Sequence, residues 1–113
     1  MNEDLKAIDL ELGKTVVGGN ETMAKELLTL LADNLPEHQR IIKEACQKND
    51  KPSLISESHR LHGATCYTGT PRLKIAAKEL EMAAKENQDA QIPKLTLQLD
   101  NEIALFFSEL KKQ

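Results

Sequence analysis

Apolar residues recur every three or four positions along almost the whole of this 113-residue chain, interrupted only by short clusters of glycine, proline and asparagine. That spacing keeps side chains on one face of an α-helix, where a strand would need strict alternation, so the chain is restricted to helices packed through those faces. Leu5, Ile8 and Leu12 predict a short leading helix, followed by Gly13 and the flexible pair Gly18 and Gly19. Asn20 is placed as an N-cap with Glu21 in the first turn, and Met23, Leu27, Leu30, Leu31 and Leu35 form the stripe of the next helix. Pro36 either kinks that helix or opens a new one over 37–49, with Ile41, Ile42 and Ala45 on one side, so the two stretches can form one bent helix. A turn at 49–52 precedes a helix opened by Pro52 or Ser53. In it Leu54, Ser58, Leu61 and Thr65 share one face, and Ile55, His59, His62, Gly63 and Cys66 a neighbouring one. Gly69-Thr70-Pro71 ends that helix and starts another, with Thr70 as N-cap and a small-residue face of Leu73, Ala76, Ala77, Leu80 and Ala84. After a break at 87–89, Ile92, Leu95, Leu99, Ile103, Phe106 and Leu110 mark a long final helix with Pro93 in its first turn. Short connections make successive helices antiparallel neighbours. The expected fold is all-α, an antiparallel up-down four-helix bundle with a short extra N-terminal helix, in one domain over 1–113 whose core runs from about 8 to 110.

A chain of this length supports one hydrophobic core. Tyr67, Phe106 and Phe107 are its only aromatic residues, so leucine, isoleucine and alanine build that core, and stacking on single-stranded nucleic acid has little to work with. The formal net charge of −3 gives no general attraction to nucleic acid or to anionic lipid. No apolar run approaches membrane-spanning length, and MNEDLKAIDLELGK is acidic where a secretory signal would be basic and then apolar. Cys46 and Cys66 lack a CxxC spacing, which favours reduced thiols. The expectation is a cytoplasmic domain with neither a nucleic-acid partner nor direct membrane contact.

The stretch 57-ESHRLHGATCYTG-69 carries the chemistry. One reading makes His59 and His62 ordinary exposed helix residues. A second makes His59, His62 and Cys66 zinc ligands, which would require His38 and Cys46 to converge from another helix to complete four donors. A third makes one histidine a phosphoryl acceptor, which needs an exposed ring nitrogen, tolerance of a dianion, and room for another protein's active site. Gly63 suits that need: it costs about 1 kcal/mol in a helix interior and removes bulk one turn from His59. Arg60 and His62 can offer positive charge or donors to phosphoryl oxygens, and Ala64 and Gly69 keep the surface low. No serine or cysteine is paired with a base and an oxyanion-binding turn, and there is no GxxxxGK[ST] phosphate loop.

The run His59-Arg60-Leu61-His62-Gly63, with Gly69 further on, resembles the histidine-containing phosphotransfer (HPt) motif, H-[KR]-L-[KH]-G. The resemblance extends from about Ile8 to Leu110 and is most specific in 59-HRLHGATCYTGTPRL-73, which is similar to the HPt domains at the C-terminus of BarA/GacS-class hybrid sensor kinases. It implies that His59 is the phosphorylated residue, that Arg60 is the basic residue following it, and that Gly63 opens space beside the ring. His62 stands where many members have lysine. Glu81 falls where some members place a glutamine near the phosphohistidine, and a carboxylate there either repels the phosphoryl group or orients the His59 ring. The resemblance further implies a phosphoryl group received from the aspartate of a receiver domain and passed to the aspartate of a response regulator. The chain would then be a monomeric carrier with no nucleotide site and no cofactor of its own, magnesium belonging to the receiver, in the cytoplasmic C-terminal part of an inner-membrane kinase. Ile55, Ala64, Tyr67 and Gly69 are candidates for the docking surface, with Leu54 and Leu73 shared between that surface and the core.

Overall fold

The computed structural model describes residues 4–113. Its first α-helix, α1, spans Leu10–Val16, later than the apolar spacing predicts. The Asp9 side chain accepts a hydrogen bond from Leu12 N at 3.0 Å and fixes the start there. Gly13, expected to follow the helix, lies inside it and is buried, while Leu5 and Leu12 are exposed, so only Ile8 of the three apolar positions joins the core.

A single helix, α2, runs over Glu21–Gln47 straight through Pro36. Asn20 caps it as expected, accepting from Met23 N at 3.0 Å. The inward face is Ala24, Leu28, Leu31, Leu35, Ile42 and Ala45, so the expected stripe is partly wrong: Met23 and Leu30 lie beside it and are 46% and 55% exposed. The face that packs is turned slightly from the expected stripe, onto a line that contains the small Ala24 and Leu28.

Asp50 caps the third helix, α3 (Lys51–Thr65), through Ser53 N at 3.2 Å, with Pro52 in the first turn where its missing N–H is harmless. The fourth, α4 (Pro71–Lys85), begins after Thr70, but the Thr70 hydroxyl makes no cap bond; it pairs with the buried Thr68 hydroxyl at 2.8 Å. A 3-10 turn over Asp89–Gln91 leads into α5 (Ile92–Leu110), with Pro93 in its first turn.

Helix α2 packs on α3, α3 on α4 and α4 on α5, and α2 also meets α5, which closes a ring around the core. His38 of α2 bonds Glu57 of α3, His59 of α3 bonds Glu81 of α4, Arg72 of α4 bonds Glu102 of α5, and Gln39 of α2 bonds Asp100 of α5. Leu35, Leu61, Leu73, Leu80, Leu99 and Phe106 fill the centre with almost no exposure. No described helix is long and apolar enough to cross a membrane.

Gly69 is a joint in this architecture. Its φ is +64°, its carbonyl accepts from Asp9 N at 2.8 Å, and a Cβ there would stand 2.7 Å from Gly13 N and closer still to the Asp9 carbonyl. It is buried against α1, so it is not part of an exposed docking surface. Leu54 and Leu73, shared between surface and core in the sequence, belong to the core.

Candidate functional site

The site lies where α3 and α4 run side by side. Because α3 buries Leu54, Ser58, Leu61 and Thr65, the residues about 100° or more round the helix face outward, and Ser56, His59, Arg60, Gly63 and Ala64 form an exposed strip that continues to Tyr67. His59 has a side chain 67% exposed. Its Nδ1 lies 2.8 Å from Oε2 of Glu81, whose side chain is only 6% exposed, and Lys85 Nζ meets the same oxygen at 2.7 Å. Burial pushes the Glu81 carboxyl up, but the hydrogen bonds and charges of Lys85 and His59 outweigh it, and the group rests below the ordinary carboxylate value. An ionised carboxylate only accepts, so the proton of the neutral ring is on Nδ1 and the Nε2 lone pair is free.

His62 is placed differently from the fixed cation that its position suggests. Its side chain is 17% exposed, its Nδ1 is 3.8 Å from Glu81 Oε1, and its buried Nε2 has no hydrogen-bond partner. Burial, followed by the charge of Lys78, lowers its pKa; Glu81 opposes this and Lys74 and His59 add to it. This favours the uncharged ring, so of the two roles open to His62, positive charge or donor, the enclosure works against the charge. Arg60 is two-thirds exposed and reaches Oε1 of Glu57 at 3.4 Å. Glu57, which the sequence gave no reason to single out, is a buried carboxylate held by His38 Nδ1 at 2.5 Å.

Gly63 has helical geometry, and a Cβ there would meet nothing within 4 Å, so nothing inside the domain requires glycine. Of the docking candidates, Ala64 and Tyr67 are exposed and border a groove of about 190 Å³ with Leu27, Leu30, Asn34 and His38 of α2. Ile55 is half-buried and packs on the core. The residues weighed as zinc ligands do not converge. His38 is bonded to Glu57 on the α2 side, Cys66 Sγ donates to the His62 carbonyl at 3.4 Å, and among the described residues no group of three histidine, cysteine or acidic side chains is placed to hold a metal ion. The sequence reading missed Lys85; its i,i+4 spacing from Glu81 was the available signal.

Known proteins are similar to this chain in sequence and fold. The chain is 32% identical over 108 residues, 96% of its length, to the sensor histidine kinase GacS of Pseudomonas protegens, and 27% identical over 99 residues to the signal transduction histidine-protein kinase BarA of Escherichia coli K12. It spans 12% of the first and 11% of the second. It also resembles the crystal structure of the HPt domain of a sensor hybrid histidine kinase from Shewanella, with a TM-score of 0.75, 29% identity, and coverage of 95% of this chain and 96% of that one. A family model for the Hpt domain matches residues 26–109, which take in His59, Gly63, Glu81 and Lys85, and on that match the chain belongs to the Hpt domain family.

Proposed function

We propose that the domain is a phosphocarrier of a multistep relay: His59 accepts a phosphoryl group from the aspartyl phosphate of a receiver domain and yields it to the aspartate of a response regulator. The observation that carries this is the pairing of an exposed His59 with buried Glu81, which holds the proton on Nδ1 and leaves Nε2 bare towards solvent. In-line transfer needs a fixed nucleophile and an unobstructed approach. Glu81 fixes the ring, and Gly63 removes a side chain from the surface that a partner must cover. The ring is a good acceptor because Nε2 attacks without first losing a proton. The resulting phosphoimidazolium leaves again as neutral imidazole, so transfer runs in both directions. Magnesium and the acidic pocket belong to the receiver in this reading, and the carrier supplies nucleophile and docking surface. In this reading the domain is a monomeric part of a longer sensor kinase, as the similarity to sensor kinases suggests, and acts on the cytoplasmic side.

The test is transfer from a phosphorylated receiver with magnesium, followed by intact mass. Wild type gains one phosphoryl group that is acid-labile and base-stable, and His59→Gln gains none while keeping its helical content. Labelling of His59→Gln on another histidine would refute the assignment.

A further inference from the structure

The transfer site contains an electrostatic conflict. A carboxylate that touches the accepting ring also repels the dianion that the ring must take up. Glu81 is buried and ionised, so its field on the neighbouring ring is screened less than that of an exposed carboxylate. The position on α3 one turn from His59 holds His62, whose Nε2 is enclosed without a partner. Arg60 points about 100° away round the helix and contacts Glu57. Lys78 and Lys74 are near enough for their charges to act on His62, but neither makes an ion pair among the described residues, and both line a groove of about 300 Å³ with Thr65, Cys66 and Leu12. Lys85 is different. It binds the same oxygen, Glu81 Oε2, that His59 Nδ1 binds, so its ammonium lies no farther from the imidazole than those two hydrogen bonds laid end to end. Helix side chains lean towards their N-terminus, which brings Lys85 back over Glu81 at i−4 and leaves it half-exposed beside the carboxylate that holds the ring.

We propose that Lys85 is the charge-compensating positioning residue of the transfer site: it neutralises Glu81, so that the carboxylate can hold the Nδ1 proton without repelling the incoming phosphoryl group. The proposal rests on the reading of His59 as the acceptor. In the step itself, the Nε2 lone pair forms the N–P bond while the O–P bond of the aspartyl phosphate breaks, its electron pair going to the carboxylate oxygen. The Nδ1 proton stays in place, and the new positive charge on the ring is balanced by Glu81. Lys85 then faces a phosphoryl group instead of leaving an uncompensated carboxylate beside it. A neutral glutamine with a lysine on α3 would meet the same two needs with different residues, and here both are met from α4.

The experiment measures the rate at which the whole 113-residue chain is labelled by phosphoramidate, a small phosphodonor that removes receiver docking from the comparison. Lys85→Met is expected to slow labelling of His59 about tenfold, with a deficit that shrinks as salt is raised, and Lys85→Arg to stay near wild type. Glu81→Gln combined with Lys85→Met is expected to return to the rate of Glu81→Gln alone, because without the carboxylate there is nothing to compensate. That recovery separates charge compensation from a structural role, and thermal unfolding of each variant confirms the fold. Labelling of Lys85→Met at the wild-type rate, or additive losses in the double variant, overturns the proposal and leaves the phosphocarrier reading standing. Wild-type chain that takes no label on His59 overturns both.

Discussion

Two glycines on either side of the α3 terminus show how differently the same residue can be used. Gly63 has helical φ and open space around its missing Cβ, so Gly63→Ala is expected to stabilise the domain by about 0.5–1 kcal/mol through helix propensity. The same change should slow transfer from a receiver while leaving phosphoramidate labelling nearly intact. Melting temperature and the two labelling rates check both halves. Gly69 has φ +64° and backbone atoms of Asp9 and Gly13 where a side chain would go, so Gly69→Ala is expected to lose about 2 kcal/mol or more, read from urea unfolding. His62 supplies a pH dependence. Its pKa is depressed in the folded domain, chiefly by burial, so below its ordinary value of 6.5 the unfolded chain binds the proton first and stability falls with pH. His62→Gln should flatten the decline that begins below pH 6.5, whereas the stability that Glu81 contributes, with its lowered pKa, is lost only below about 4.5. If wild type and His62→Gln lost stability in parallel between pH 6.5 and 5, the ring would not be buried in its neutral form.

The helices themselves were largely legible, because caps and spacing act locally. Asn20, Pro52, Pro71 and Pro93 mark helix starts within a residue or two, and one bent helix through Pro36 was one of the two readings open for that stretch. Periodicity placed the inward face of α2 on the line of Met23 and Leu30, whereas Ala24 and Leu28 pack, because the exact face depends on α3 and α5 across the core. The start of α1 was misplaced for a related reason. Leu5 and Leu12 suggest an earlier helix, but the contact of Asp9 and Gly13 with Gly69 is between segments distant in sequence. The Arg72–Glu102 pair, with Nε and Nη2 each donating to one carboxylate oxygen at 2.7 and 2.9 Å, couples α4 to α5 in the same non-local way. Glu102→Ala is expected to destabilise the domain by about 1–3 kcal/mol without changing the labelling of His59, measured by denaturant unfolding beside the transfer assay.

Across the whole molecule, the sequence singled out His59 as the candidate acceptor but not the setting in which the fold places it. His59, Gly63 and Arg60 lie within one heptad, and a motif can record them. The pairing of His59 with Glu81 and Lys85 spans two helices, and the pairing of His38 with Glu57 spans another two. The bundle thereby treats its three imidazoles unequally: His38 and His62 are 12% and 17% exposed with their rings engaged or enclosed, and His59 is 67% exposed. Towards an acylating reagent such as diethyl pyrocarbonate, the native domain should therefore consume one equivalent rapidly, with the other two rings reacting only as the fold opens. A chain with three histidines would thus titrate as if it had one, and a reaction as simple as an absorbance change would count active molecules in any preparation.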